Sequence, residues 1–393
     1  MYLYQRTETI EAGLARLSEL KARLDSRGPL PRIWLGRTRR ELEAEAVAAS
    51  TSMEGVAVTV DEVRRILAGD RPSSVAPHDV ALVEGYRDAM KFVLNRADDP
   101  QFKWQSELIL GIHYRAMAED RALGAGRFRR SQNRVIDVAG ARQVFLPPPP
   151  GEVPGLVAEL AAWAGKQRQT PAPLVAAMVH CRLAGIHPFS DGNGRTARIL
   201  ASLAMYRGDY KLPEFTSLEE WWGGHMADYY RAFDCLGSEW ADEVDVTPFV
   251  ESHVRAQVSQ VEALSLRQAT ERVLWLALDD VIRSVGGGDA RMAHALYDAF
   301  FGREVTNRFY RSLVDVSVAT AVNDLAKLEA AGLLKAVGAG RSRRYLAGGR
   351  LAGRIAESAG IAPAPDTESP LQSQRETLIV ALAERAKQAG SSL

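Results

Sequence analysis

The stretch that decides the reading is His187-Pro-Phe-Ser-Asp-Gly-Asn-Gly-Arg-Thr-Ala-Arg198. Gly192, Asn193 and Gly194 can turn tightly enough for successive backbone N–H groups to point at one anion. The next segment, Arg195 to Met205, is rich in helix formers with apolar residues at helical spacing. The turn is therefore predicted to sit at a helix N-terminus, where about half a unit of positive charge faces a ligand. Arg195 and Arg198 are three apart, reach from one helix face and can fork onto phosphate oxygens. Asp191 is a hard oxygen donor of the kind that shares Mg²⁺ with phosphates. His187 is the side chain most ready to accept a proton near neutral pH.

Outward from this run the chain reads as helical. Ile10, Leu14, Leu17, Leu20 and Leu24 keep helical spacing, and Gly28-Pro-Leu-Pro31 ends that segment. Thr38 with Glu41 makes a capping-box pattern that opens a helix ending near Glu54-Gly55, and Thr59 with Glu62 repeats it. Further helices are expected at 79–96, 105–117, 152–166, 171–184, 218–237 and 247–285. Arg134–Val138 and Gln143–Leu146 flank Ala139-Gly-Ala141 and precede four prolines, the pattern of a hairpin with a sharp end and an exposed edge. Gly286-Gly-Gly-Asp289 reads as a linker. Beyond it, helical runs and the glycine turn of Lys335–Leu346 resemble a winged helix-turn-helix, with Ser317–Ala331 as its second helix. A short amphipathic helix is expected at 376–388. The expected fold is all-α with a β-hairpin flap, in four parts: 1–110, 111–285, 286–360 and a tail at 361–393.

The 393 residues carry 49 basic and 49 acidic side chains, so no global charge advertises nucleic acid or an acidic membrane. No apolar run is long enough to span a bilayer, and the N-terminus lacks a signal peptide's apolar core. Cys181 and Cys235 lack metal-type spacing and read as reduced thiols of a cytoplasmic protein.

The run 187–198 resembles the Fic signature, His-x-Phe-x-(Asp/Glu)-Gly-Asn-Gly-Arg-x-x-Arg, at every fixed position. The resemblance implies transfer of AMP from ATP to a serine, threonine or tyrosine hydroxyl of a target protein. His187 would be the base and Asp191 the Mg²⁺ ligand. Gly192, Asn193 and Gly194 would form the anion nest, with Arg195 and Arg198 on the leaving phosphates. It also implies that the hairpin, through Val135, Ile136, Val144 and Phe145, is a flap that docks an extended target segment. Gly126-Arg-Phe-Arg129 resembles the segment leading into that flap. Tyr229-Tyr230 resembles the family's adenine-pocket segment, although the asparagine that some relatives carry near Gly237 is absent here.

Ser50-Thr-Ser-Met-Glu-Gly55 matches the family's inhibitory pattern, (Ser/Thr)-x-x-x-Glu-(Gly/Asn), within a helix expected at about 39–55. Glu54 would pair with Arg198 and keep it from the γ-phosphate, with Ser50 holding the inhibitory helix in place. Two alternatives accompany this reading. One is AMP removal or transfer of another phosphate-linked group. The other is a DNA-binding regulator whose Fic body senses nucleotide, with Arg341, Arg343 and Arg344 on the wing and Asn323 and Lys327 on the second helix meeting DNA. Protein docking is the rival use of that module. A homodimer is compatible with the sequence, and no membrane contact is expected.

Overall fold

The two helices flanking the signature turn are buried on nearly every side, the first because it is mainly apolar and the second although it carries Asn193, Arg195, Thr196, Arg198 and Ser202. The computed structural model describes residues 1–26, 32–117, 124–136, 142–211, 218–362 and 371–391. It is mostly helical and divides into two compact units, Met1–Glu262 and Ala263–Leu393. The division falls inside a long helix, so Gly286–Gly288 lies within the second unit rather than at its border. Among the described residues no helix is long and apolar enough to cross a membrane.

In the first unit, α1 (Glu8–Ser26) buries Ile10, Leu17, Leu20 and Leu24, with Leu14 at the edge of the same core. α2 runs from Arg32 to Met53. The expected start at Thr38 is therefore corrected: residues 32–53 hold one glycine and no proline, so nothing breaks the helix before the capping-box pattern. α3 (Val60–Leu67) does open with a capping box, Thr59 accepting from Glu62 N–H while the Glu62 carboxylate accepts from Thr59 N–H. α4 (Pro77–Ala97) and α5 (Ser106–Ala116) lead to the hairpin, β1 (Val135–Ile136) and β2 (Gln143–Phe145). The two strands pair antiparallel through Val135–Phe145 and Ile136–Gln143, with a bulge between the pairs. Val138 and the predicted tip Ala139-Gly-Ala141 lie outside the described residues.

α6 (Val153–Lys166) precedes the central pair, α7 (Ala172–Ile186) and α8 (Asn193–Arg207). Within α8 only Gly194 and Arg207 escape full burial, which anchors the signature turn in the core. The single helix expected at 218–237 is corrected to α9 (Glu219–Gly224), α10 (Met226–Ala232) and a 3₁₀ turn, Phe233–Leu236. Gly223-Gly224 weakens the helix there, and His225 adopts non-helical angles. α11 spans Thr247–Arg283.

The second unit contains α12 (Ala293–Phe300), β3 (Val305–Thr306), α13 (Asn307–Val314) and α14 (Val318–Ala330). β4 (Leu334–Val337), β5 (Arg344–Ala347), α15 (Leu351–Ser358) and α16 (Leu371–Ser391) complete it. Thr306 and Ser317 cap α13 and α14 through their side-chain oxygens. The sheet has the order β3-β5-β4, all antiparallel. The two-residue β3 is too short to carry an alternating pattern in the sequence.

Candidate active site

The signature turn is bent at both ends by left-handed residues. His187 caps α7 with φ 50° while its N–H donates to Leu183 O, and Gly192 opens α8 with φ 73°. A side chain at Gly192 would collide with Met117 Sδ, whose sulfur would lie 2.7 Å from its Cβ. Between these bends Phe189 is fully buried and stacks on His113, with ring centroids 3.7 Å apart and planes within 4°. Asn193 holds the turn shut: its Oδ1 accepts from Phe189 N–H and its Nδ2 donates to Phe189 O, both at 2.9 Å. Asn133 Nδ2 donates to the same carbonyl at 2.7 Å.

Two further side chains brace the turn from outside the signature. His113 Nδ1 accepts from Gly126 N–H at 2.9 Å, so its Nε2–H is the donor to Asp191 O at 3.0 Å. Burial lowers its pKa to about 4, which keeps that tautomer neutral. Arg129 is buried and donates to the carbonyls of His187, Ser131 and Pro148. It thus ties the segment before the hairpin to the signature turn.

Charge converges on the start of α8. The first N–H groups of a helix have no intrahelical acceptor, and here those of Asn193, Gly194 and Arg195 precede the first turn bond, Thr196 N–H to Gly192 O. Arg198, almost wholly buried, donates from Nη2 to Glu54 Oε1 at 2.8 Å and to Ser50 Oγ at 3.3 Å. Its Nε lies 3.5 Å from Glu219 Oε1, and its Nη1 3.5 Å from the Tyr229 hydroxyl. Burial alone would lower the Arg198 pKa, yet Tyr229, Glu54 and Glu219 together raise it above its ordinary value. Arg195 Nε lies 3.7 Å from Glu54 Oε2, and its Nη2 donates to Asp191 at 3.3 Å. Gly194 makes room for this cluster, since a Cβ there would come within 2.9 Å of Glu54 Oε1. A carboxylate therefore occupies the place that a helix start and two arginines make suitable for a phosphate.

His187 is half-buried, with Nδ1 3.3 Å from Ala184 O. A carbonyl only accepts, so Nδ1 carries the hydrogen and Nε2 keeps the lone pair. Burial lowers the pKa to about 4, so the proton-accepting form is populated at neutral pH. The imidazole lines a cleft of about 670 Å³ with Glu54, Asn193, Gly194 and Arg198. Val135, Ile136, Val144 and Phe145 of the hairpin line it too, as do Tyr229 and Tyr230. Asp191 is half-exposed at the rim, and Arg195 is buried beside it.

The structure thus gathers the signature, the Glu54–Arg198 pair, the hairpin and the two tyrosines around one cleft or its rim. The Asn193 side chain clamps Phe189, while its backbone opens the helix at the expected nest. Tyr229 is buried with its hydroxyl near Arg198, whereas Tyr230 stays 46% exposed. Sequence reasoning missed His113 and Glu219, and it gave Asn133 and Tyr86 no part. They come from distant segments and meet the site only through the fold.

A buried helix start beneath two arginines and a neutral imidazole facing the same cleft thus lie together in a mostly helical domain. Residues 103–205 match the model of the Fic/DOC family, and the chain carries a domain of that family. A protein adenylyltransferase Fic of Culex quinquefasciatus is 30% identical over 259 residues, 63% of this chain and 47% of the relative. Its namesake in Aedes aegypti is 32% identical over 225 residues, 55% of this chain and 40% of the relative. The chain spans about half the length of these curated relatives or less. The fold is shared with a Fic family protein from Desulfovibrio desulfuricans G20, at TM-score 0.57 and 22% identity, covering 88% of this chain and 98% of that one. Fic-1 of C. elegans shares it at TM-score 0.53 and 24% identity, covering 66% and 73%.

Proposed function

We propose that the protein is a protein adenylyltransferase that moves AMP from ATP to a hydroxyl of a target protein and is restrained by its own Glu54. The observation that carries this reading is the Glu54 carboxylate on Arg198 at the start of α8, 2.8 Å from Nη2. It behaves as a built-in anion in a phosphate site. Buried donors with no hydrogen-bond partner there, Arg195 Nε and Nη1, fit a larger anion. When Glu54 leaves, the helix start and both arginines bind the phosphates of ATP. His187 Nε2 takes the proton of the acceptor hydroxyl as its oxygen attacks the α-phosphorus, and pyrophosphate departs. Catalysis then rests on positioning and charge stabilisation.

Asp191 is half-exposed beside the phosphate site, and a single carboxylate plus phosphate oxygens and water suits Mg²⁺. The ion would neutralise phosphate charge there. The hairpin, with Ile136 57% exposed, would hold an extended target segment by main-chain hydrogen bonds near His187. The name that the two insect relatives share, protein adenylyltransferase, supports the same activity.

AMP incorporation from α-labelled ATP into lysate proteins, followed by mass spectrometry, tests the reading. Glu54→Gly should raise labelling above wild type. His187→Ala in that background should abolish it, since a positioned base contributes roughly 10²–10⁴ in rate. Ile136→Pro should weaken target labelling by about tenfold through lost strand docking. Equal labelling in wild type and Glu54→Gly would remove the brake, and labelling that survives His187→Ala would remove the base.

For the second unit we infer a winged helix that serves protein contacts rather than DNA. The wing arginines are already paired, Arg343 with Glu329 at 2.7 Å and Arg344 with Glu304 at 3.0 Å. The open face of α14 shows Val318 and Val322, each more than half exposed. The Arg341 side chain lies outside the described residues.

A further inference from the structure

Arg198 is gripped by two carboxylates, and only one of them belongs to the inhibitory segment. The other is Glu219, the first residue of α9, with no exposed surface at all. Its Oε1 accepts from the Tyr86 hydroxyl at 2.5 Å and stands 3.5 Å from Arg198 Nε. Its Oε2 has no hydrogen-bond partner. A buried carboxylate with an unsatisfied oxygen is costly to the fold and is kept where something else requires its charge.

The geometry points to Glu219 as a positioning residue for Arg198 in the proposed AMP transfer, and the inference rests on that reading. Glu54 takes the Nη2 end of the guanidinium and Glu219 faces the Nε edge. The two differ in freedom: the Glu54 side chain is 21% exposed and Glu219 is sealed beneath Tyr86. When Glu54 withdraws, Arg198 would, without Glu219, be a buried cation lacking any counter-charge, an arrangement that is strongly destabilising. Glu219 supplies the standing counter-charge, anchored through Tyr86 on α4. It leaves the Nη2 end of Arg198 aimed at the start of α8, where the phosphates bind. The pairing is an ion pair rather than a hydrogen bond, so the guanidinium can adjust to the phosphate without breaking it.

Loss of the charge frees Arg198 to turn but also removes a negative charge near the phosphates. These effects oppose each other in nucleotide affinity and reinforce each other in misplacing the leaving group. In the Glu54→Gly enzyme, Glu219→Gln should therefore lower kcat for AMP transfer about tenfold while the KM for MgATP changes less than about threefold. Glu219→Asp, which keeps the charge, should recover at least half of the lost kcat. In an Arg198→Ala background Glu219→Gln should cost nothing further, because the residue acts through that arginine. Should Glu219→Gln fail to fold, Tyr86→Phe loosens the same carboxylate and must still reduce kcat.

A kcat within about twofold of the parent, an Asp variant as impaired as the Gln variant, or an undiminished loss without Arg198 would each overturn the assignment. Calorimetry of the Glu54→Gly parent separates the two levels. A parent that neither binds MgATP nor transfers AMP sinks the functional reading and this inference with it. An active parent indifferent to Glu219 sinks the inference alone.

Discussion

Two arginine clusters behave in opposite ways. In the first unit Arg195 and Arg198 are buried at a helix start, and the carboxylate facing both, Glu54, comes from a segment 144 residues away from Arg198. In the second, Arg343 and Arg344 lie on the surface, each paired to a glutamate of its own unit. A surface pair contributes little and is easily exchanged with solvent. A buried cation without a counter-charge is costly; Glu219 supplies one to Arg198, and Glu54 holds the Nη2 end that a phosphate would take in the proposed reaction. Residue type alone marks both clusters as anion sites; burial and the origin of the partner separate them.

The sharpest way to break this contrast is to loosen the frame that holds the first cluster in place. Asn193 is buried and spends both side-chain atoms on Phe189. Asn193→Ala leaves the Phe189 N–H without its partner, at a cost of about 1–3 kcal/mol. It also lets the His187 turn drift against the start of α8, and a misplacement of about 1 Å can cost around 10² in rate. AMP incorporation by Glu54→Gly/Asn193→Ala should therefore fall about a hundredfold below Glu54→Gly. Asn193→Asp keeps the acceptor for Phe189 N–H and should fall between the two. Full activity in the alanine variant would mean that Asn133 and His113 hold the turn without it.

A medium effect is expected in the second unit. If pairing is what silences its arginines, the full-length protein should shift duplex DNA only weakly, with a shallow dependence on salt. Releasing the arginines by Glu304→Gln together with Glu329→Gln should raise affinity about tenfold at low salt and steepen that dependence, because each freed charge releases counterions. Tight, steeply salt-dependent binding by the unaltered chain would reverse the assignment to protein contacts.

The signature turn was legible because its parts are local. A glycine bend and two arginines three apart at a helix start place one another without help from the rest of the fold, whereas the left-handed turn at His187 appears only in the structure. Glu54 was legible as part of a short pattern, although its 2.8 Å contact with Arg198 needed the structure. Glu219 was not, since it lies 133 residues from Tyr86 and no spacing rule joins them. His113 reads in the sequence as one more residue on the face of α5, and only the fold stacks it on Phe189. Capping patterns misled once, at Thr38, because the same residues occur inside helices that nothing interrupts. The all-α class survived these errors because it rests on abundant helix formers, few strand-like runs and the helical fold that the family resemblance implies.

The buried histidines of the first unit give the smallest effect and the most general test of its packing. Burial lowers the pKa of His113 and His187 to about 4 and that of His253 to about 3. In the unfolded chain each returns to about 6.5. Between those values the unfolded chain binds protons that the native one refuses, so stability rises with pH. The contribution is complete above about pH 6.5 and drains away as pH falls toward about 4. At about pH 5 a buried histidine has lost roughly 2 kcal/mol of it, which should lower the thermal midpoint by several degrees relative to neutral pH. His113→Phe also removes two hydrogen bonds, to Gly126 and Asp191, so its midpoint starts lower at every pH. The informative quantity is the slope between about pH 7 and about pH 5, which should be shallower than wild type by one histidine's worth. An unchanged slope would mean that His113 is charged or solvated in the native state. The stack on Phe189 that braces the signature turn would then have to be redrawn.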